Sequence, residues 1–408
     1  MTKPLRICVD TRLVGGKVGG VQQVVEGLAA GLSALEGEEE YVFLGVRGTE
    51  EWLGKYLRGP CRLELAHSAP LHRMRRSVEK RLARLRGVPD VPGLSPEPRA
   101  VARVGAEVVH FPTQSGFRTA RPSIYHPHDL QHRHLPEFFS ESDRLQRDAL
   151  YGAMCRQAAL VAVASRWVKD DVAVELGVPR ERIVVVNWPP ATSARGEPGP
   201  EAHAAAARRL ALPERFVFYP AQTWPHKNHL ALVEALALLR REGLAVPFVS
   251  SGKKTEHVAV LEARARDLGI ADQVRFLGYV DDDDLATLYA RATAVVVPSL
   301  FEAASFPMWE AFRAGTPVAC SNVTSLPAQA ADAALVFDPA DRGAIAAAVR
   351  RLWTDAALRD DLVRRGRERV ALFTWSRTAR TFRALYRRLA GRPLDAADRT
   401  LLEAPPAL

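Results

Sequence analysis

Two glutamates in the segment PSLFEAASFPMWEAFRAGTPVACSN, Glu302 and Glu310, have a spacing that suits ligand binding. An apolar strand, AVVVPS, ends just before Glu302, and a helix is expected to begin near Pro307, so that Glu310 lies in its early turns. The free amides of Ser305 and Phe306 would then lie between the two carboxylates. A carboxylate accepts hydroxyl donors such as those of a ribose, and first-turn amides bind a diphosphate. The alternative is that both acids only cap the helix.

A glycine-rich loop, GGKVGG at 15–20, follows the first apolar stretch and leads into an amphipathic helix. Glycines let the backbone curl closely around a ligand, and the helix N-terminus attracts an anion. The loop is not a P-loop, because Lys17 is followed by Val18 and no Ser or Thr is present to hold magnesium. It is not a clean G-x-G-x-x-G either. A plain strand-to-helix turn therefore stays an alternative to a phosphate cradle.

Histidines and aspartates form two further clusters that invite a metal hypothesis. The segment SIYHPHDLQHRHLPEFFS contains His126, His128, His132 and His134, and DDDD occupies 281–284. No His-Glu-x-x-His helix or cysteine partner accompanies the histidines, so we predict no metal there. The aspartates precede Leu285, and we expect Asp283 or Asp284 to be the N-cap of a helix.

Strand-like apolar runs alternate with helical patterns along the chain, which predicts parallel sheets covered by helices on both faces. The first half contains the runs LRICVD, YVFLGV, RLELA, EVVHFP, SIYHP, LVAVAS and RIVVVN. The second half contains RFVFYPA, VPFVSSG, VRFLGYV, AVVVPS, TPVACS and ALVFDP. Two doubly wound α/β domains follow from this order, and ligands bind at the carboxyl ends of such strands.

The length of 408 residues exceeds what one hydrophobic core usually holds, which also predicts two domains. The segment 189–213 is rich in Pro, Gly and small residues. We therefore place the first domain at 1–190, a linker at 191–213 and the second domain at 214–373. The tail, 374–408, carries an amphipathic helix expected to pack back toward the N-terminal domain, with Phe382, Leu385, Tyr386 and Leu389 on its apolar face.

The charge balance favours an anionic partner, since the formal net charge is +9. Part of the excess lies in HRMRRSVEKRLARLRG, 72–87, where apolar residues at helical spacing lie under a cationic coat. This segment is either a peripheral membrane or anionic-acceptor helix or an ordinary solvated face. Sparse aromatic residues around it argue against nucleic acid.

Four cysteines, no apolar run of membrane-spanning length and no signal peptide predict a cytoplasmic protein, or one at the inner face of a membrane. Cys8, Cys61, Cys155 and Cys320 are too far apart in sequence to suggest a zinc knuckle or disulfide framework.

The stretch from VRFLGYV to SNVTSLP resembles the donor-binding half of the retaining glycosyltransferases of family 4, which have the GT-B fold. In that family a glutamate, Gly-Phe-Gly, a proline and a second glutamate precede a Gly-x-Pro-Val turn. This frame is kept by Glu302, Pro307, Glu310, Ala311, Gly315, Pro317 and Val318. Lys227-Asn228, SSGKK at Gly252 and Gly19-Gly20-Val21 extend the resemblance over most of the chain.

The resemblance implies two Rossmann-like domains facing across a cleft, an N-terminal acceptor-binding one and a C-terminal nucleotide-sugar-binding one. It implies a hexosyltransferase that needs no cofactor and takes a nucleotide-sugar donor, UDP- or GDP-linked, with retention at the anomeric carbon. The acceptor would be a glycan, a lipid-linked molecule or a small molecule, as in polysaccharide or glycoconjugate biosynthesis. A GT-B epimerase or phosphorylase, or a catalytically weak scaffold of a glycan-assembly complex, stays an alternative.

The resemblance also assigns the site residues. His128, Lys227 and Glu302 are the catalytic candidates. His128 orients the sugar or acceptor hydroxyl, Lys227 neutralises the departing diphosphate, and Glu302 approaches the donor sugar or the diphosphate region. Glu310 binds the ribose, and Gly20 lets the backbone close on the diphosphate. The donor-binding candidates are Gly19, Gly20, Gln222, Lys227, Gly252, Ser305, Phe306 and Glu310, and no metal is expected.

Three segments depart from the family pattern. Ala304-Ser305-Phe306 replaces Gly-Phe-Gly, and Gln222 and His226 stand where an arginine commonly precedes the lysine, so that Arg12 is an alternative cation for the diphosphate. The glutamate that commonly follows Ser-Leu-Pro is replaced by Ala328-Gln329. These changes imply either an unusual donor or reduced activity.

Overall fold

The computed structural model describes residues 3–13, 19–66, 94–190, 198–404 and 408. The chain forms two compact units. The first unit comprises Met1–Ala191 and Thr374–Ala407, and the second comprises Thr192–Phe373 with Leu408. The end of the chain therefore belongs mainly to the unit in which the chain begins.

The first unit contains a parallel sheet of seven strands in the order β3-β2-β1-β4-β5-β6-β7. The strands are β1 Leu5–Asp10, β2 Glu39–Gly45, β3 Cys61–Leu65, β4 Val108–Phe111, β5 Ser123–Tyr125, β6 Leu160–Val163 and β7 Ile183–Val185. Its helices in the described parts of the first 190 residues are α1 Gly20–Ser33, α2 Thr49–Leu53, α3 Arg99–Arg103, α4 Gln131–His134, α5 Glu141–Gln157 and α6 Arg166–Leu176. Short 3-10 turns occupy Gly54–Tyr56, Pro136–Phe138 and Arg180–Arg182.

The second unit contains a parallel sheet of six strands in the order β10-β9-β8-β11-β12-β13. The strands are β8 Val217–Pro220, β9 Phe248–Ser251, β10 Val274–Phe276, β11 Ala294–Val297, β12 Val318–Ser321 and β13 Ala334–Phe337. Its helices are α7 Pro200–Arg209, α8 His229–Arg241, α9 Val258–Asp267, α10 Asp282–Arg291, α11 Phe306–Ala314, α12 Leu326–Ala330, α13 Arg342–Thr354 and α14 Ala356–Ala371. Short 3-10 turns occupy Pro225–Lys227 and Ala271–Gln273.

The strand orders confirm the doubly wound α/β class predicted from the sequence, and every predicted apolar run overlaps a strand. In each sheet the winding direction reverses once, at β1/β4 in the first unit and at β8/β11 in the second. Ligands of open α/β sheets bind where the winding reverses, at the carboxyl ends of the strands.

Strands β4, β6, β11 and β12 are buried on both faces, which explains why they are nearly continuous apolar runs rather than alternating ones. Strand β11 shows this most clearly, because all four of its side chains, Ala294–Val297, are fully buried. The helix α7, which lies in the segment predicted as a linker, is part of the second unit. Its Arg209 pairs with Asp284, and its His203 hydrogen-bonds Thr287 at 2.9 Å, both residues of α10.

The chain ends in two helices of the first unit, α15 Trp375–Leu389 and α16 Ala396–Glu403. Helix α1 presents Gly27 and Gly31 to α15, and a β-carbon at Gly27 would lie 1.9 Å from the ring of Trp375. The indole of Trp375 is buried and donates a hydrogen bond to the carbonyl of Pro190 at 3.1 Å. Gly27 and Gly31 therefore form the groove in which α15 packs.

The acidic run at 281–284 caps helix α10, but one prediction about it was wrong. The N-cap is Asp281, whose carboxylate accepts from the amide of Asp284 at 2.8 Å, and not Asp283 or Asp284. The helix begins at Asp282, the second aspartate of the run. Asp284 is thereby buried in the first turn, where it pairs with Arg209.

Candidate functional site

The carboxyl ends of β8 and β11 carry three of the predicted site residues, Gln222, Lys227 and Glu302. Gln222, Lys227 and Asn228 follow β8, and Glu302 follows β11. These two strands are hydrogen-bonded neighbours and form the point where the winding of the second sheet reverses. The sequence pattern that placed these residues after strands thus corresponds to a spatial cluster.

The central contact of this cluster is an ion pair between Lys227 and Glu302. The distance from Lys227 Nζ to Glu302 Oε1 is 2.6 Å, and Ser299 Oγ donates to the same oxygen at 2.7 Å. Tyr219 Oη lies 2.7 Å from Ser299 Oγ. The side chain of Glu302 is 10% exposed and that of Lys227 is 22% exposed, so the ammonium is held by a mostly buried acid while its outer side stays accessible.

The backbone around Lys227 is held by the strand ends. Asn228 adopts a left-handed conformation with φ of 57° and ends the 3-10 turn Pro225–Lys227. Its Nδ2 donates to the carbonyl oxygens of Pro298 and Pro339 at 3.0 and 3.1 Å. Burial and the charge of Lys227 lower the pKa of His226 to about 3, so this imidazole is neutral and adds no charge to the site.

The backbone of Glu302 is held by the connection between β12 and α12. Thr324 Oγ1 accepts from the amide of Glu302 at 3.1 Å and donates to its carbonyl at 2.6 Å. Ser325 Oγ donates to the same carbonyl at 2.8 Å. These two residues were not predicted from the sequence, because the signal for them is only a pair of hydroxyls before a short helix.

The amide of Ser305 is not free, contrary to the prediction. It donates to Gln329 Oε1 at 2.8 Å, and Gln329 Nε2 donates back to the carbonyl of Ser305 at 2.6 Å. The hydroxyl of Ser305 accepts from the amide of Met308 at 3.4 Å and so caps helix α11, which begins at Phe306. The side chain of Gln329 therefore accepts from the backbone amide that was predicted to bind an anion.

Glu310 is buried in the second turn of α11, where Tyr289 Oη lies 2.5 Å from its Oε2. Burial and this carboxylate raise the pKa of Tyr289 well above its ordinary value, so the phenol is a donor to the acid. Tyr289 and Glu310 form a buried hydrogen-bonded pair, whereas Glu302 pairs with a cation. The two glutamates of the motif thus differ in environment.

Gly252 and Gln222 lie at neighbouring strand ends. Gly252 has φ of 121°, and a β-carbon there would lie 2.7 Å from the carbonyl carbon of Ala221. A glycine is required for this close approach whether or not a ligand binds. The side chain of Gln222 accepts from the indole of Trp224 at 3.0 Å.

In the first unit, His128 follows β5 and is buried, with a left-handed backbone of φ 65°. Its Nε2 lies 2.9 Å from the carbonyl oxygen of Pro112, which can only accept, so the proton is on Nε2 and Nδ1 is an acceptor. Burial lowers the pKa of His128 to about 4. The neutral ring can accept a hydrogen bond from a hydroxyl.

Two more buried imidazoles stand beside His128. His110 Nε2 lies 2.8 Å from His126 Nε2, and His110 Nδ1 lies 2.6 Å from the hydroxyl of Tyr386 in α15. Burial lowers the pKa of His110 to about 3 and that of His126 well below its ordinary value. His132 and His134 pair instead with Asp148 and Asp171 at 3.0 and 2.6 Å.

Within the residues that the structure describes, no group of three or more His, Cys, Asp or Glu side chains is arranged to hold a metal ion. The four cysteines are free and buried. Across the same described ranges no helix combines the length and hydrophobicity needed to cross a bilayer. The basic segment 72–87 lies outside the described residues.

The predicted glycine loop is described only from Gly19 onward. Gly19 has φ of 53° and ψ of −130°, a conformation that favours glycine, and it precedes α1, which begins at Gly20. Arg12, the alternative cation, is paired with Asp10 through two nitrogens at 2.6 and 2.8 Å. Its charge is therefore largely compensated within the first unit.

Two family models match the chain. The model "Glycosyltransferase Family 4" matches residues 18–188, and the model "Glycosyl transferases group 1" matches residues 204–369. The O-antigen chain mannosyltransferase B of Escherichia coli is 31% identical over 256 residues, which are 61% of this chain and 65% of that protein. The D-inositol 3-phosphate glycosyltransferase of Salinispora arenicola is 33% identical over 225 residues, 52% of this chain and 49% of that protein. The chain thus spans less than two thirds of either relative.

Solved structures share the fold at low sequence identity. Alr3699/HepE of Anabaena, in complex with UDP and glucose, matches with a TM-score of 0.70 at 17% identity and covers 93% of this chain and 99% of its own. Sucrose-phosphate synthase of Thermosynechococcus elongatus matches with a TM-score of 0.68 at 20% identity and covers 95% and 99%. The GT-B fold class predicted from the sequence is confirmed.

Proposed function

The chain belongs to the glycosyltransferases that these two family models describe, and we propose that it transfers a sugar from a nucleoside diphosphate to an acceptor hydroxyl in glycan biosynthesis. The observation that carries the proposal is the Lys227–Glu302 pair at the carboxyl ends of β8 and β11. Breaking the glycosidic bond loads negative charge on the diphosphate, and a fixed cation stabilises that charge most where it develops.

The donor is proposed to be a UDP- or GDP-sugar. Solved structures of Alr3699/HepE contain UDP or UDP-glucose, and the curated relatives include a protein named as a mannosyltransferase. Lys227 would meet the diphosphate, and Glu302 would approach the donor sugar while holding Lys227 in place. Glu310 would bind the ribose, since its carboxylate can accept a ribose hydroxyl in addition to the Tyr289 hydroxyl at Oε2. The proposed donor set also includes Gln222, Gly252, Ser305 and Phe306.

The reaction is proposed to proceed with retention at the anomeric carbon and without a metal ion, and the departing phosphate would help to deprotonate the acceptor hydroxyl. His128, as a neutral acceptor through Nδ1, would orient a hydroxyl rather than donate a proton. Gly19 and Gly20 would supply backbone close to the diphosphate. The acceptor is proposed to be a glycan, a lipid-linked molecule or a small molecule. A cytoplasmic location, with peripheral membrane contact through 72–87, remains part of the proposal.

The test is a panel of UDP-, GDP- and ADP-sugars offered to the purified chain, with donor hydrolysis and transfer followed by chromatography. NMR of the product assigns the anomeric configuration. Lys227→Met should lower kcat by about 10²- to 10³-fold, as expected for the loss of one electrostatic contact to a developing anion. Lys55→Met, which removes a lysine of the first unit, is the matched control. Absence of binding and turnover with every donor would refute the function, and an inverted product would refute retention alone.

One observation favours a second candidate, a catalytically weak partner that binds a sugar nucleotide within a glycan-assembly complex. The amide of Ser305 is occupied by Gln329, so one of the expected anion contacts is absent. Calorimetric binding of a nucleotide sugar without transfer or hydrolysis over hours would support this candidate. Turnover that Glu310→Ala abolishes would exclude it.

A further inference from the structure

We propose that Thr324 is a positioning residue for the reaction proposed above, on which this inference rests. Its hydroxyl fixes the backbone of Glu302, and Glu302 in turn holds the ammonium of Lys227. Thr324 does not itself contact the donor in this proposal. It acts by fixing the place from which the cation meets the diphosphate.

The contact between Thr324 and Glu302 is reciprocal. Thr324 Oγ1 accepts from the amide of Glu302 at 3.1 Å and donates to its carbonyl at 2.6 Å. A hydroxyl has one proton and two lone pairs, so both bonds can exist together. One side chain therefore satisfies the donor and the acceptor of the same residue, which restricts rotation of the peptide units on both sides of Glu302.

The backbone of Thr324 is in the left-handed region, with φ of 51°. This conformation is unfavourable for a β-branched residue and natural for glycine. Glycine, however, has no side chain to bond Glu302, whereas the hydroxyl of Thr324 makes both bonds. Backbone strain that is held in place by its surroundings is often found near functional sites.

The fixed backbone orients the carboxylate of Glu302 toward its two donors. Oε1 accepts from Ser299 at 2.7 Å and from Lys227 at 2.6 Å, and the side chain is 10% exposed. If the loop turned, the acid would carry the ammonium with it or release it. The diphosphate gains negative charge as the glycosidic bond breaks. Displacement of the cation therefore raises the free energy of the transition state more than it raises the free energy of the bound donor.

Three substitutions separate the hydroxyl from the backbone effect. Thr324→Val keeps the shape and removes the hydroxyl, Thr324→Ser keeps the hydroxyl, and Thr324→Gly removes the hydroxyl and relieves the unfavourable φ. We expect Thr324→Val and Thr324→Gly to lower kcat about 10- to 100-fold, as small misplacements at a site do, with little change in KM for the donor. Thr324→Ser should restore kcat close to that of the wild type.

A second readout does not depend on turnover. Labelling of lysines with an amine-reactive ester, quantified by mass spectrometry, should modify Lys227 faster in the Val and Gly variants than in the wild type or the Ser variant. Lys55 in the first unit should be labelled at one rate in all four proteins. Because Thr324→Gly relieves strain, it carries the test even if Thr324→Val fails to fold.

Unchanged kcat and unchanged Lys227 labelling in Thr324→Gly would overturn the inference while leaving the proposed function intact. A loss in Thr324→Ser equal to that in Thr324→Val would also overturn it, because the hydroxyl would then not be the cause. If the wild-type chain turns over no donor, the proposed function fails, and the labelling result still decides whether Thr324 fixes the Glu302–Lys227 pair.

Discussion

Acidification should destabilise the first unit through its three buried imidazoles. The ring of His126 contacts those of His110 and His128, and the three rings also contact aromatic rings, the hydroxyl of Tyr386 and the carbonyl of Pro112. Among these contacts, which all lie within the described residues, there is no carboxylate that would stabilise an imidazolium. Protonation must therefore either bury an uncompensated charge or open the structure.

The size of the loss in unfolding free energy follows from the pKa shifts of the buried histidines. Burial lowers the pKa of His110 from 6.5 to about 3 and that of His128 from 6.5 to about 4. Below pH 6.5 the unfolded chain binds protons that the folded chain excludes, so the free energy of unfolding falls as pH falls. Each ring contributes a loss of about 1.4 kcal/mol per pH unit, hence about 2 kcal/mol at about pH 5. The two rings together cost about 4 kcal/mol, a large part of a typical domain stability of about 5–15 kcal/mol.

The assay is peptide-resolved hydrogen exchange of strands β4 and β5 at several values of pH from 7.5 down to 5, which gives the free energy of opening in the first unit. His110→Asn removes one titrating ring and should reduce the pH slope below pH 6 by about 1.4 kcal/mol per unit. An opening free energy that does not change with pH would refute the reasoning. So would an equal slope in the wild type and the variant.

Three further substitutions have defined outcomes in thermal unfolding. Gly27→Ala should lower stability by about 1–3 kcal/mol or more, because a β-carbon would lie 1.9 Å from the ring of Trp375. Gly252→Ala combines an unfavourable φ of 121° with a backbone contact of 2.7 Å and should cost about 1–3 kcal/mol from strain alone. Gln329→Leu leaves the amide and carbonyl of Ser305 without their partner and should cost about 1–3 kcal/mol for each buried group.

Matched controls separate these causes from the substitutions themselves. Gly54→Ala meets nothing within 4 Å, and its helical φ should make it neutral or slightly stabilising. Gly243→Ala has a φ of 83° but open space, so it reports strain without the contact. If Gly27→Ala unfolds at the same temperature as Gly54→Ala, the packing of α1 on α15 is not as described. If Gly252→Ala costs no more than Gly243→Ala, the close approach to Ala221 is unimportant.

The order of strands and helices could be predicted from sequence because parallel strands buried on both faces leave a plain signal. Apolar runs are continuous in such sheets, as AVVVPS illustrates, and each is followed by a helix with its own period. The position of Lys227 and Glu302 after neighbouring strands was likewise predictable from the family resemblance. Strand ends at one edge of a sheet meet regardless of their separation in sequence.

What could not be predicted depends on which side chains satisfy which backbone groups. The amide of Ser305, at the start of α11, was predicted to be free, yet it donates to the side chain of Gln329, which is distant in sequence. The N-cap of α10 is Asp281 rather than Asp283 or Asp284. Each of the four successive aspartates could cap a helix, and only the path of the backbone determines which one does. Thr324 belongs to no sequence motif, because its role depends on two hydrogen bonds to Glu302, which lies in another loop.

The groove that Gly27 and Gly31 form for Trp375 has a consequence for biosynthesis. The N-terminal unit is completed by residues that leave the ribosome only after residues 192–373 of the second unit have been made. Until then one face of α1 stays without its apolar cover, while the intervening stretch is contiguous and can fold as soon as it emerges. We therefore expect chains that end near residue 373 and have been released from the ribosome to hold a protease-resistant second unit and a first unit that recruits chaperones.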